Sequence, residues 1–271
     1  MPQSPLNEAL AKLKNTDLSS SSGKPLVILE ALFNWSRNYA DNFEDFLGEL
    51  LKTSFWQSQD YSNNPYPALC LGLASSIDVY NHALIPSEPA YHSRKHFQDV
   101  CTAMTVLLAQ EISATSPIND LWLISRDDAW LLLFCAVAHD FGHTGLTNTR
   151  PYELEKISIE KARRFLRQHT VNSTLQNDLA SKIEPIILAT DPASLNTLLA
   201  KFTGPDANPT KTDCLSMLMV EADLLASTLP GYGKILGSLL GKEWAAHNPK
   251  AALSVASDQG RLKFLQNIRF V

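Results

Sequence analysis

The chain has 271 residues, 45% hydrophobic and 19% charged, enough for a globular protein with a large buried core. Its 23 basic and 28 acidic side chains leave a net charge of −5, which argues against a partner such as a nucleic-acid polymer or an anionic membrane. A small phosphate ligand stays open, since a bound metal ion supplies positive charge locally.

Residues 1–25 read as a partly flexible leader. Ala9 to Leu13 allows one or two helical turns, Ser19 to Gly23 is a breaker, and Pro25 can open a helix. No apolar stretch of signal-peptide kind lies there, so none is expected to act as one. Residues 26–271 read as one all-helical domain. Leu29, Leu32, Phe33 and Ser36 share a face, as do Phe43, Phe46, Leu47, Leu50 and Leu51. Asn63 to Pro67 is a loop, Ala68 to Leu84 a helix, and Pro86 to Pro89 closes it.

A helix is predicted over His92 to Gln110, with Phe97, Val100, Cys101 and Met104 inward. A loop at 116–120 follows, then the apolar helix Asp127 to Ala138. Glu153 to His169 is amphipathic, and Thr174 to Ala189 and Ser194 to Phe202 are further helices. After a loop at 204–209, helices are predicted over Asp213 to Leu229, Lys234 to Ala246 and Ser257 to Phe270. No strand is expected, because alternating β-branched patterns never persist. The longest apolar run, Ala129 to Ala138, is far too short to span a bilayer. Cys70, Cys101, Cys135 and Cys214 lie far apart in apolar surroundings, which fits reduced thiols and a cytoplasmic location.

Chemistry concentrates in a few places. The apolar run ends in His139-Asp140, and burying that pair is costly without a partner. A metal ion is one partner; a satisfied core histidine beside a capping aspartate is the other reading. His92 and His96 are four apart, a workable pair on one helix and more commonly a solvated surface pair. Asp223 sits inside an apolar helix and needs a partner. Thr190-Asp191 reads slightly better as a cap before Pro192, and Glu155 is a carboxylate favoured at a helix start. Gly231 to Lys234 mimics a phosphate loop, but no strand precedes it, and a closely packed helix start fits better.

Together His96, His139, Asp140 and Asp223 make a two-histidine, two-carboxylate set suited to zinc, magnesium or manganese. This pattern resembles the HD-domain metal phosphohydrolases. More narrowly, Tyr91 to His96 resembles the YHNxxH motif of class I cyclic-nucleotide phosphodiesterases, and His139 to Asn148 resembles their HDxxHxGxxN. Glu153 to Glu155, Leu188 to Asp191 (LATD) and Ala222 to Leu224 (ADL) follow in the family's order.

The resemblance implies an all-α, multi-helix HD-domain bundle that hydrolyses 3′,5′-cyclic nucleotides to 5′-monophosphates through a metal-bridging hydroxide. It implies two divalent ions as cofactors, zinc with magnesium or manganese, and a small nucleotide as the partner. His92 would protonate the leaving 3′ oxygen, and His96, His139, Asp140 and Asp223 would hold the first metal. His143, Glu155, Thr190 and Asp191 would organise water around the metals, and Phe264 would clamp the base. Four places depart from the family pattern: Ser93 for asparagine, Gly142 for a second acid, Lys156-Ile157-Ser158 for NHH, and Arg261 for the base-binding glutamine. They keep two alternatives open, an HD phosphohydrolase of another phosphoester and a catalytically weak signalling or binding module.

Overall fold

The structure, a computed structural model, describes residues 5–14, 23–39, 41–84, 88–110, 120–170, 172–203 and 207–268. The serine run at 19–22, Pro86-Ser87, residues 116–119 and 204–206 of the expected loops, and Phe270 lie outside the described residues. Within them are fourteen α-helices, three short 3-10 turns and no strand. The all-α expectation holds.

Helix α1 (Pro5–Lys14) packs on α2 (Lys24–Tyr39), with Leu6, Leu10 and Leu13 buried in the core. The stretch expected as a leader therefore carries a helix seated on the bundle. Then come α3 (Phe43–Leu50), α4 (Ser54–Gln57), α5 (Tyr66–His82) and α6 (Arg94–Ala109). Next are α7 (Arg126–Ala138), α8 (Glu153–His169), α9 (Ser173–Leu188), α10 (Leu195–Ala200) and α11 (Lys211–Thr228). The last are α12 (Tyr232–Trp244), α13 (Pro249–Val255) and α14 (Asp258–Asn267). The single helix expected over Ser257 to Phe270 is thus shorter, and α13 precedes it. Asn248 caps α13 through Ala251 N and Ser257 caps α14 through Gly260 N, each cap separating one short helix from the last.

Three helices form the centre. α6 packs against α2, α3, α7 and α11. α7 is buried on every face from Ala129 to Ala138, as a helix apolar all round must be. Its Trp130 places an indole N–H on Gln59 O at 2.7 Å, and Trp56 reaches Thr105 Oγ1 at 3.0 Å, so the large buried rings keep their polar atoms paired. Each such buried side chain contributes roughly 1.5–3 kcal/mol by leaving water.

Both α7 and α11 begin in capping boxes, Ser125 with Asp128 and Thr210 with Asp213. Lys211 joins the two starts, with Nζ 3.2 Å from Asp128 and 2.6 Å from Leu123 O. The helices thus set out from one end of the bundle. His139 lies thirteen residues beyond Arg126 and Asp223 twelve beyond Lys211, so both arrive about 18–20 Å along. α12 then turns away from α11 by 98°. Among the described residues no single helix is long and apolar enough to cross a membrane; the bent pair α11 and α12 passes that length and composition test only jointly.

Candidate metal centre and substrate cavity

His96 lies in the first turn of α6 and His139 caps the C-terminus of α7; both are buried. The two Nε2 atoms stand 3.2 Å apart. Asp140 Oδ2 lies 3.3 Å from His96 Nε2 and 3.2 Å from His139 Nε2. Asp223 Oδ1, from α11, lies 3.2 Å and 3.8 Å from the same nitrogens. His139 Nδ1–H donates to Ala136 O at 2.9 Å, which leaves Nε2 as the lone-pair nitrogen facing the cluster.

This donor set fits a divalent cation. A tetrahedral shell with bonds of about 2.0–2.1 Å has edges of about 3.3–3.4 Å, close to the separations found here. The electrostatics agree. Burial would lower the pKa of His96, but hydrogen bonds and charge from Asp140 and Asp223 outweigh it and lift the ring to about 10. His139 is raised against burial by Asp140. Burial opposes ionisation of Asp140, yet His139 and His96 hold it well below the ordinary carboxylate range. The four side chains call for positive charge at the point they share.

His92 is expected on a helix with His96. It lies instead in the turn before α6, because Ser93, extended at φ −99 and ψ 174, is the N-cap. The Ser93 hydroxyl makes no capping bond. Arg94 pins this turn: its amide and guanidinium bind Glu88, at 3.1 Å and 3.2 Å, and Nη1 reaches Asp78 at 3.5 Å.

Glu243, on α12, joins the site without any mark in the sequence. Its Oε1 accepts from His92 Nδ1 at 2.5 Å, and Oε2 accepts from the amides of Tyr91 and His92 at 2.7 and 3.0 Å. Burial would raise its pKa, but these bonds prevail and hold the carboxyl below the usual glutamate range. No local signal marks it, since its partner is 151 positions away.

His143 stacks on His92, centroids 3.6 Å apart and planes 25° from parallel. Gly145 N–H donates to His143 Nδ1 at 3.0 Å, helped by Gly142 and Gly145 turning the chain at φ +90 and +78. Burial, then the neighbouring His92, pushes His143 down to about 4. His92, His143 and Glu243 are close enough to share an ion, but the parallel stack and the filled Glu243 carboxylate fit a hydrogen-bonded His92–Glu243 pair with His143 stacked on it better.

The remaining expected residues line one cavity of about 870 Å³ with His92, Asp140 and Asp223. Glu155 accepts from Asn148 Nδ2 at 2.9 Å, and burial raises its pKa. Asp191 accepts from Tyr152 N at 2.8 Å and Ala193 N at 2.9 Å, while Thr190 Oγ1 donates to Ile187 O at 2.8 Å. Both oxygens of Asp191 thus bind backbone, as the capping alternative requires. Phe264 lines the far wall on α14. Arg261 does not enter as a ligand group; it caps the C-terminal carbonyls of α11. Gly233 makes room for it, since a Cβ there would collide with Arg261 Nη1 and Ser227 O.

An all-α bundle with imidazoles and carboxylates gathered at one point beside a cavity defines a helical protein with a candidate metal centre. The sequence profile of the 3'5'-cyclic nucleotide phosphodiesterase family matches residues 91–232, over half of the chain, and the chain belongs to that family. Membership makes it a phosphodiesterase-type hydrolase. Among solved structures, the phosphodiesterase domain of the RhoPDE fusion protein from the choanoflagellate Salpingoeca rosetta is similar in fold. Its TM-score is 0.52 at 17% identity, covering 94% of this chain and 82% of that one. No curated protein matches the chain.

Proposed function

We propose that the protein hydrolyses 3′,5′-cyclic nucleotides to 5′-monophosphates, using divalent metal ions, zinc with magnesium or manganese. The observation that carries this reading is the convergence of His96, His139, Asp140 and Asp223, two of which, Asp140 and Asp223, line one cavity with the Glu243-bound His92. Those four side chains would hold the first ion. When bound, such an ion polarises a phosphoryl oxygen and acidifies water.

The chain's own residues do the rest. Glu243 fixes His92 Nδ1 as a donor, so Nε2 is the atom left for substrate. As water oxygen adds to phosphorus and the bond to O3′ breaks, His92 Nε2 gives its proton to O3′, and the proton the water loses passes to solvent, from which His92 is protonated again. His143 holds the His92 ring from one face. Glu155, steadied by Asn148, offers a carboxylate to water, while Thr190 and Asp191 fix the loop that shapes the wall. The four buried free thiols support a reducing, cytoplasmic setting.

The test is metal analysis combined with phosphorus NMR of cyclic AMP and cyclic GMP turnover. We expect bound divalent metal and a 5′-monophosphate product. His92→Ala retains metal and loses roughly 10²–10⁴ in kcat, whereas Asp140→Ala loses both metal and turnover. Full turnover in Asp140→Ala would sink the metal-site reading. Hydrolysis of 5′-nucleotides with cyclic ones untouched would replace this substrate by a phosphomonoester.

A further inference from the structure

Gly142 sits in the turn between two groups of the site, Asp140 and His143. Two backbone bonds close that turn, Phe141 N to Ala138 O at 3.0 Å and His143 N to Asp140 O at 2.8 Å. At φ +90 Gly142 adopts a conformation that residues bearing a side chain rarely take. A glycine that reaches such angles reaches many others, so its own chemistry does not hold the turn at one of them. The space a side chain would fill there is already filled. A Cβ on Gly142 would collide with Cε and Cδ of Lys161, which comes from α8. Lys161 thus supplies, from another helix, the packing that Gly142 lacks.

The ammonium fixes the far end of that side chain. Lys161 Nζ lies 3.8 Å from the centre of the Tyr80 ring, on α5, and 5.1 Å from that of Phe141. The two rings meet edge to face, centroids 5.7 Å apart and planes at 83°. A lysine that merely covers apolar surface sends its charge onward to water. This one is half-buried, has no carboxylate paired with it among the described residues, and turns onto ring faces instead. Burial, then Arg164, lowers its pKa, as such a setting requires. The side chain therefore ties α5, α8 and the turn together two residues beyond Asp140. We propose that Lys161 is a positioning residue for the metal centre: packed across Gly142 and held on Tyr80 and Phe141, it keeps Asp140 at the point shared with His96, His139 and Asp223. This rests on the metal-centre reading and extends it to a side chain outside the four-donor set.

Metal affinity tests it without turnover. Titration of the Mn²⁺-loaded full chain with a chelator of known affinity should show Mn²⁺ held roughly tenfold or more weakly in Lys161→Ala, the range for losing a group that orients a ligand. Lys161→Arg returns a long stem and a cation that stacks on rings, and should recover most of the loss. Arg167→Ala removes an exposed, ion-paired charge from the same helix and should hold Mn²⁺ as the wild type does. Equal affinity in Lys161→Ala and the wild type overturns the proposal. An equal loss in Arg167→Ala also overturns it, since the effect would then belong to α8 as a whole. Asp140→Ala, titrated alongside, separates the two readings. If it holds Mn²⁺ as tightly as the wild type, the metal-centre reading has failed and the proposal falls with it. If it loses Mn²⁺ while Lys161→Ala does not, the proposal alone falls.

Discussion

The buried end of the site and the far wall of its cavity treat charge in opposite ways. At the buried end His96, His139, Asp140 and Asp223 point their polar atoms at one another, 3.2 to 3.8 Å apart, and His96 is driven up to about 10. At the far end Arg261 turns its guanidinium onto three carbonyls at the end of α11, and Leu236, Leu240, Phe264 and Ile268 line the space. An ionisable group whose partners are backbone has been used by the fold. One that meets other ionisable groups and also lines the cavity, as Asp140 and Asp223 do, remains available to a ligand. The difference separates the residues that should move activity from those that should move stability.

Glu243 gives the largest effect on this comparison. It binds two amides, as a structural group does, yet also the His92 ring. Glu243→Gln should lower kcat roughly a hundredfold with little change in KM, the upper range for losing a residue that orients an active ring. A fall in Tm with kcat intact would move Glu243 into the structural class.

Asp99 supplies the control, a carboxylate as buried as the cluster but facing Tyr232 Oη at 2.7 Å and Arg37 at 3.6 Å. Burial lifts it to about 7, above its unfolded value of 3.8. An acid with a raised folded pKa stabilises fully below its unfolded pKa and loses that contribution as pH rises through the folded value. Denaturant unfolding should therefore show stability falling by about 2 kcal/mol between pH 5 and 7 from this group. Asp99→Asn should flatten that slope and leave kcat near wild type; an unaltered slope would count against the assignment.

The smallest effect on turnover belongs to Arg261. Arg261→Ala should cost about 1–3 kcal/mol of stability, from lost charge-assisted bonds to the α11 carbonyls. Relative turnover of cyclic AMP and cyclic GMP should stay the same, and a changed ratio would bring Arg261 back into base selection.

Much of the buried end was legible in the sequence. His139-Asp140 and Asp223 interrupt apolar helices, and a polar group in such a run must answer to something. The spacing of His92 and His96 was legible, but not that Ser93 starts the helix between them, although serine is a favoured N-cap. The leucines of α1 recur at helical spacing, but the segment is short and its core contacts come from α2 and α6. Thr190 and Asp191 carried two meanings, and only the positions of Tyr152 N and Ala193 N show that the Asp191 oxygens serve backbone. Glu243 and Arg261 could not be read locally, since their partners lie 151 and 32 to 34 positions away.

The shared start of α7 and α11 has a consequence for how the gene can vary. With Lys211 locking both origins to Asp128, each helix works as a ruler that delivers one ligand at a set depth and bearing. A single codon inserted between Asp128 and His139, or between Asp213 and Asp223, would advance the ligand by about 1.5 Å and swing it about 100° around its axis. Length changes upstream of Ser125 or Thr210 leave both rulers untouched. The tolerance of this chain to insertion should thus break sharply at the two capping boxes.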